Sequence, residues 1–268
     1  MRWHLFRAMI AGAATIAALF VSVVHAEMPD AARMAEIIVL GELHDNPAHH
    51  ARQAEWVHAL APKALVFEML TPQQAARAAG GWRTQAELDA AVGWTGSPWP
   101  SFDFYFPIFA AALDAVIYGA GVPREVLMEQ IEAPLDAHPL AAEYGIGQPL
   151  DDEQQAARIA LQALAHCGAF PEEVLPIMVD AQRLRDAALA DAALRALRHT
   201  GGPVVVVTGN GHSRTDWGMP AMIAHAAPEI RVFALGQSEE GSAVEGTFNL
   251  TLDASAPDRG DPCTAFSQ

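Results

Sequence analysis

Short apolar runs alternate with longer alanine-rich segments along the chain, and this alternation is the main structural pattern of the sequence. Four runs predict strands, at residues 36–40, 64–68, 204–208 and 230–235. The third contains four consecutive valines between Gly202-Pro203 and Gly209, which favours a strand buried on both faces. A fifth, weaker run lies at residues 122–131. Strands that alternate with helical segments indicate an α/β fold with a mainly parallel sheet and flanking helices.

Helical patterns occupy the segments between the strands. Asn46 and Pro47 supply an N-cap and a first-turn proline for a helix that ends near Leu60. Residues 138–200 contain no convincing strand and predict a helical insertion lobe, with helices at about 151–168 and 172–198. We therefore expect a leader at residues 1–26 and the first part of an α/β domain at 27–137. The helical insertion follows at 138–200, and the last part of the α/β domain with a tail at 201–268.

The first 26 residues have the three-part form of a secretory signal peptide. Arg2 and Arg7 precede an apolar stretch from Ala8 to Val24, which ends at the small-residue exit Val24-His25-Ala26. The stretch is about 17 residues long, below the roughly 20 that span a bilayer. No cysteine stands near the exit to carry a lipid anchor. We therefore expect cleavage and a soluble periplasmic or secreted protein without a stable membrane anchor.

The net charge and the two cysteines indicate which partners, disulfides and metal sites to expect. The formal net charge of −16 opposes binding to nucleic acid or to an anionic membrane. The two cysteines, Cys167 and Cys263, predict a disulfide in an oxidising compartment. Because no CxxC or Cys/His ligand spacing occurs, a structural zinc site is not expected.

Three of the predicted strands end in carboxylate, amide or imidazole side chains. Glu42 and His44 follow the first strand, Glu68 ends the second, and Asn210 and His212 follow the valine-rich strand. The carboxyl ends of parallel strands meet at one edge of a sheet, where open α/β sheets bind their ligands. We therefore expect these residues to share one site.

Three histidines surround the start of the helix that Asn46 begins. Unpaired amide groups at a helix N-terminus disfavour an imidazolium, so we expect a neutral His44 that can bind metal or accept a proton. His49 and His50 point about 100° apart on the helix, so at most one of them is expected to face the site. A surface position is the expectation for His50, whereas His49 is open between surface and site.

Seven aromatic residues lie between Trp94 and Phe109, in a chain that is only 7% aromatic. They could wall a flat apolar ligand or supply the core, and for any single one of them the core is the expected place. Tyr105 differs because a phenol can ligate ferric iron. Tyr118 and Tyr144 are the other two tyrosines.

Four segments resemble the ChaN-like haem-binding uptake proteins of the Tiki-like superfamily, in the same order along the chain: 41–50 (GELHDNPAHH), 99–107, 182–190 and 209–220. The resemblance covers nearly all of the expected mature chain. It implies an α/β fold with a helical lobe, haem as the cofactor and a role in haem or iron uptake. Tyr105 would ligate the iron, and two chains would pair around stacked haems.

The chain offers further candidates for contacts with such a haem. Two are arginines, Arg185 of the expected lobe and Arg214 beyond the valine-rich strand, whose guanidinium groups suit propionate carboxylates. Gln182 and Asp186 share a helix face near Arg185, and solvated positions are the default expectation for these lobe residues. The remaining candidates come from the strand ends and the first helix: His44, His49, Asn210 and His212.

The strand-end residues also resemble the acid and imidazole sets of erythromycin esterase-like and Tiki-like hydrolases: Glu42, His44, Glu68 and His212. In that alternative His44 is the general base, a glutamate orients it, and His212 stabilises developing charge or binds a metal ion. The chain has no GxSxG motif, which disfavours a covalent serine mechanism. A third alternative is binding of a non-haem divalent metal without catalysis.

Overall fold

A six-stranded sheet forms the centre of the computed structural model, which describes residues 28–131, 133–261 and 263–264. The strand order is β3-β2-β4-β1-β5-β6, and every neighbouring pair is parallel. The strands are β1 (Ile37–Glu42), β2 (Ala64–Phe67), β3 (Val116–Gly119), β4 (Val204–Gly209), β5 (Val232–Glu239) and β6 (Leu250–Ala254). The expected α/β fold is confirmed. The expected signal peptide at 1–26 lies outside the described residues.

The four apolar runs correspond to β1, β2, β4 and β5, which confirms those strand predictions. The weaker prediction at residues 122–131 is wrong, because Arg124–Ile131 forms a helix. Sequence patterning does not reveal β3 and β6, which lie at the two edges of the sheet. β3 is four residues long, and β6 alternates half-buried with exposed side chains. Neither has the continuous apolar run of a strand buried on both faces.

Eleven α-helices flank this sheet in the described part of the chain. Asn46 caps the second as expected, because its side chain accepts hydrogen bonds from the amides of Ala48 and His49. The helices are α1 (Asp30–Arg33), α2 (Pro47–Leu60), α3 (Pro72–Ala78), α4 (Gln85–Val92), α5 (Phe102–Ala110), α6 (Arg124–Ile131), α7 (Ala141–Tyr144), α8 (Asp152–Ala165), α9 (Leu175–Thr200), α10 (Asn210–Ser213) and α11 (Met219–Ala226).

Residues 138–200 form α7, α8 and α9 and contribute no strand. The long helix α9 packs onto the sheet, where Leu184, Leu189 and Leu194 are buried in the core. α8 packs against α9. We call α8 and α9 together the helical lobe.

The strands divide their side chains between two apolar cores, one on each face of the sheet. Ile38 and Leu40 enter the first core, whereas Ile37 and Val39 enter the second, which α9 and α11 cover. The aromatic segment between Trp94 and Phe109 belongs to the first core or packs against it. The core interpretation is therefore confirmed for Trp94, Phe102, Tyr105 and Phe109. Trp99 is only partly buried, and its ring centre lies 5.0 Å from that of His44.

A disulfide joins Cys167, just after α8, to Cys263 in the C-terminal segment, as the pair of cysteines predicts. The bond connects residues 96 positions apart and so attaches the end of the chain to the helical lobe. In the ranges that the structure describes, no helix is both long and apolar enough to cross a membrane.

Candidate functional site

Residues from the ends of β1, β2, β4 and β5 meet in one cavity, between the carboxyl-terminal edge of the sheet and the helical lobe. The cavity has a volume of about 1400 Å³. Apolar side chains of the helical lobe and of the connection between α8 and α9 also line the cavity. Among them are Leu161, Val174, Ile177, Met178 and Leu189. The expected site residues found in its lining are Glu42, His44, Glu68, Arg185, Asn210, His212 and Arg214.

Glu42 ends β1 and lies buried at the centre of a hydrogen-bond network. Its Oε1 accepts the hydroxyl of Tyr105 at 2.6 Å and the Nδ1–H of His44 at 2.8 Å. Its Oε2 accepts the side-chain amide of Gln53 at 2.8 Å. These partners offset the cost of burying a carboxylate and fix the orientation of the His44 ring.

The carboxylates around His44 raise its pKa to about 9. Burial lowers this pKa, but the hydrogen bond to Glu42 and the negative charges of Glu68 and Asp45 raise it by more. His44 is therefore protonated at neutral pH, and the expectation of a neutral imidazole is wrong. The partial positive charge of the helix N-terminus is smaller than the opposing charge of the carboxylates.

Glu68 lies between the two imidazoles of the site. Its Oε2 accepts the Thr208 hydroxyl at 2.7 Å and the Gly209 amide at 2.8 Å. The same oxygen is 4.0 Å from Nε2 of His44, and Oε1 is 3.7 Å from Nε2 of His212. Burial raises the pKa of Glu68, but the imidazoles and the two hydrogen bonds lower it to about 2. Glu68 is thus an anion between the protonated ring of His44 and the ring of His212, whose pKa is also raised.

Asp186 of α9 orients His212, a role that the sequence patterns do not assign to it. Nδ1–H of His212 donates to Oδ1 of Asp186 at 2.7 Å. Burial lowers the pKa of His212, but Asp186 and Glu68 raise it by more. The signal for Asp186 in the sequence is its place beside Arg185 in the family-like segment 182–190.

Asn210 joins the ends of β4 and β5 at the wall of the cavity. Its side-chain oxygen accepts the amide of Gln237 at 3.0 Å, and its side-chain nitrogen donates to the carbonyl of Gln237 at 2.8 Å. Because both polar atoms have backbone partners, Asn210 shapes the wall.

His49 and His50 are both buried and lie outside the cavity lining. Nδ1 of His49 accepts the Leu43 amide at 3.0 Å, and its Nε2 donates to the Ser238 carbonyl at 3.2 Å. Nε2 of His50 donates to the His44 carbonyl at 2.8 Å. The expected surface position of His50 is therefore wrong, because both rings hold the backbone that precedes and begins α2.

Tyr105 lies behind Glu42 and does not line the cavity. Its side chain is fully buried, at 0% exposure. Burial and the charge of Glu42 raise the pKa of its phenol strongly. Tyr118 and Tyr144 also lie outside the cavity lining. The structure therefore brings none of the three phenol oxygens into the cavity.

The arginines of the cavity differ in how they are paired. Arg214 donates to both carboxylate oxygens of Asp216, at 2.7 and 2.6 Å. No hydrogen bond or ion pair holds Arg185 within the described ranges, and burial lowers its pKa. Arg124 and Arg158, which sequence patterns do not single out, line the same cavity. Four of the chain's 16 lysine and arginine residues therefore meet at one cavity of an acidic protein.

The described residues contain no group of three or more His, Cys, Asp or Glu side chains that could hold a metal ion. The carboxylates and imidazoles of the cavity instead bond to one another and to the backbone. This arrangement gives no support to the alternative of a non-haem divalent metal site.

Comparisons with known proteins agree with the fold and identify the family. ChaN of Campylobacter jejuni, solved with cofacial haem binding, is similar with a TM-score of 0.63 and 20% identity, over 81% of this chain and 86% of that chain. That likeness shows the fold. The type III effector HopBA1 has a TM-score of 0.44 and 14% identity, over 85% of this chain and 91% of that chain. An erythromycin esterase mutant, EreC, has a TM-score of 0.47 and 15% identity, over 78% and 71%.

No curated protein matches the sequence. The family described as haem-binding uptake, Tiki superfamily, ChaN, matches residues 28–223, which is well over half of the chain. This protein therefore belongs to the ChaN family of haem-binding uptake proteins in the Tiki superfamily.

Proposed function

We propose that this chain binds haem in the cavity between the sheet edge and the helical lobe. Haem combines a flat apolar ring with two carboxylates and an iron atom, so its site needs an apolar wall, cations and an iron ligand. The cavity offers all three, and its volume of about 1400 Å³ exceeds the roughly 300–1,000 Å³ of common small-molecule pockets. The observation that carries the proposal is the gathering of arginines beside an apolar wall in a chain of net charge −16.

Arg185 is the arginine best placed to bind a haem propionate. It lines the cavity and has no hydrogen-bond or ion-pair partner in the part of the chain that is described. Arg214, by contrast, is already paired with Asp216. A carboxylate in the cavity would give Arg185 the charge-assisted hydrogen bonds that it lacks.

His44 is the iron ligand in this proposal. Histidines that ligate metals usually donate their other ring N–H to a carboxylate, as His44 does to Glu42. The His44 side chain is 33% exposed, compared with 11% for His212, so its Nε2 is the more accessible from the cavity. Because the His44 ring is protonated at neutral pH, ligation requires the loss of its Nε2 proton. Asn210 and His212 would contact the haem from the sheet edge.

Ligation by Tyr105, which the family resemblance implies, requires a larger rearrangement. The phenol would have to leave Glu42 and reach the cavity from a fully buried position. It would also have to lose a proton whose pKa is strongly raised. Where it lies, Tyr105 supports His44 through their shared acceptor, Glu42.

Export to the periplasm or beyond, and a role in haem or iron uptake, are parts of the same proposal. The signal-like residues 1–26 and the family's description as haem-binding uptake support them. The cofacial haem binding of Campylobacter jejuni ChaN supports stacked haems held between two copies of this chain. Size-exclusion chromatography tests the pairing, because we expect haemin to double the apparent mass.

The protonation of His44 disfavours the hydrolase alternative. His44 as general base would have to be neutral, whereas its pKa of about 9 makes it a cation at neutral pH. The pKa of His212 is raised as well. An ester panel checks this alternative, because turnover that disappears in Glu68→Gln with an intact fold would support it.

A haemin titration of the purified protein without residues 1–26 tests the proposal. We expect a Soret band that rises and saturates. His44→Ala should move or weaken the band and raise the Kd about tenfold or more. Tyr105→Phe should keep a saturable band, because Tyr105 acts on His44 only through Glu42. Arg185→Gln should raise the Kd without moving the band, because Arg185 contacts carboxylates.

The same variants show how the proposal fails. A Soret band that is lost in Tyr105→Phe but kept in His44→Ala would show that Tyr105, and not His44, ligates the iron. The absence of a saturable band in the unmodified protein would refute haem binding altogether.

A further inference from the structure

Helix α8 carries two polar atoms that point to a second ligand contact in the cavity. Nε of Arg158 and the side-chain oxygen of Gln162 are both buried and lack hydrogen-bond partners among the residues that the structure describes. Both residues line the cavity, and Arg158 is only 9% exposed. They are four residues apart on the helix, so their side chains share a face. Buried polar atoms without partners are rare in proteins and call for a physical explanation.

The surroundings of Arg158 leave its charge uncompensated. Its Nη2 donates to the neutral side chain of Gln154 at 2.8 Å, and its guanidinium lies 4.9 Å from the centre of the Trp217 ring. No carboxylate lies within ion-pair distance of it in the described ranges, whereas Arg214 beside the same ring is paired with Asp216. Burial lowers the pKa of Arg158 to about 10 despite the negative charge of Asp186. A buried guanidinium of this kind favours an anionic partner.

Gln162 can complement such an anion. A half-turn of its terminal amide exchanges the oxygen and nitrogen positions with almost no change in shape. After that rotation Gln162 presents an N–H donor where an unpartnered oxygen now lies. Arg158 and Gln162 would then offer two donors from one helix face, which is the requirement of a carboxylate.

We infer that Arg158 and Gln162 form a carboxylate subsite on α8 that binds one haem propionate, while Arg185 on α9 binds the other. The inference rests on the proposed haem binding and names the part of the ligand that the lobe recognises. Two subsites on two helices would select porphyrins with free carboxylates and would fix the haem within a cavity larger than the ligand.

The test compares haemin with its dimethyl ester, which keeps the ring and the iron but has no free carboxylate. Dissociation constants are measured by Soret absorbance for the unmodified protein, Arg158→Gln and Gln162→Met. Arg195→Gln is the matched control, because Arg195 is an exposed arginine of α9 that is absent from the cavity lining. Thermal unfolding of each variant confirms that the fold is kept.

We expect the unmodified protein to bind haemin at least about tenfold more tightly than the ester, because hydrogen bonds to charged groups are strong. Arg158→Gln should weaken haemin binding about tenfold and leave ester binding unchanged, and Gln162→Met should act in the same direction to a smaller extent. Arg195→Gln should change neither value. The Soret position should stay the same in all variants, because the subsite does not touch the iron.

Two results would overturn the inference separately from the proposed function. Saturable haemin binding that Arg158→Gln and Gln162→Met leave unchanged would remove the subsite while haem binding stands. The subsite would also be refuted if both variants weakened the binding of haemin and of the ester equally, because the loss would then not concern the carboxylates. Failure of the unmodified protein to bind haemin or the ester would instead refute haem binding itself.

Discussion

The two sides of the cavity are built in different ways. At the sheet edge, hydrogen bonds from neighbouring groups hold the carboxylates and rings of Glu42, His44, Glu68 and His212. On the helical lobe, Arg158 keeps an unpartnered Nε and Arg185 has no ion-pair partner among the described residues. Behind the sheet edge, Nδ1 of His50 and the side-chain oxygen of Gln53 also lack hydrogen-bond partners among the described residues, but neither residue lines the cavity. Satisfied polar networks fix geometry, whereas unsatisfied cations that face a cavity favour a ligand that satisfies them. This difference agrees with the proposed function, in which the sheet edge would hold the iron ligand in place and the lobe would recognise the rest of the haem.

Removal of Glu68 should have the largest effect on stability. Glu68→Ala leaves the Thr208 hydroxyl and the Gly209 amide without their acceptor, and the imidazoles of His44 and His212 without their shared anion. The loss of one partner from a buried charge arrangement costs about 3–5 kcal/mol. Urea denaturation of the ligand-free protein measures this as a fall in the free energy of unfolding.

A matched control is Glu173→Ala, because Glu173 is an exposed residue between α8 and α9. Its effect should stay within about 0.5 kcal/mol. If Glu68→Ala were equally mild, the sheet edge would not be the preorganised side of the cavity.

The hydrogen bond from Tyr105 to Glu42 should be the next largest contribution. Tyr105→Phe removes one donor from a buried carboxylate at nearly constant shape. Glu42 keeps its bonds to His44 and Gln53, so the cost is that of one hydrogen bond to a charged group, about 1.5–3 kcal/mol. The loss of this donor should also change the ring environment of His44. Urea denaturation and the histidine NMR signals report the two effects, with Phe109→Leu as the variant that removes aromatic packing alone. Unchanged His44 signals in Tyr105→Phe would show that Tyr105 does not position His44.

The change of stability with pH should be a smaller effect than that of either substitution. Because the pKa of His44 is raised in the folded protein, stability should fall as the pH rises. His44 titrates near 6.5 when unfolded and near 9 in the folded protein. The contribution of His44 to the free energy of unfolding is therefore fully present below about pH 6.5 and is lost as the pH rises through 9. After allowance for a ring that is one-third exposed, we expect a loss of about 1–2 kcal/mol over this range. His44→Gln should remove that part of the pH profile, and an unchanged profile would contradict the assigned pKa.

The sequence predicts the buried part of the fold better than its edges. β1, β2, β4 and β5 appear as apolar runs because they are buried on both faces. β3 and β6 need a neighbouring strand to become strands, and a short or alternating pattern does not specify that neighbour. The run at 122–131 contains apolar residues compatible with either structure, and the structure has it as α6.

Site residues show the same division between local and long-range information. Glu42, His44, Glu68 and His212 follow directly from their positions at strand ends. Asp186 and Arg158 lie on lobe helices, and their place at the cavity depends on how α8 and α9 pack, which no local pattern specifies. The protonation of His44 could not be predicted from the local sequence either. Glu68, whose charge raises the pKa of His44, is 24 positions away in the sequence but adjacent in space.

The smallest effects should come from the outer surface of the lobe. Leu164 of α8 is 72% exposed, so Leu164→Ser removes little buried area and should change the free energy of unfolding by less than about 0.5 kcal/mol. Leu189→Ser, on the buried face of α9, is the contrasting variant and should lower the free energy of unfolding much more. If Leu164→Ser were instead costly in the ligand-free monomer, the outer face of α8 would be packed like a core. Sensitivity that appears only after haemin is added would place this face at the contact between two haem-bound chains, and the lobe would then recognise a partner as well as the ligand.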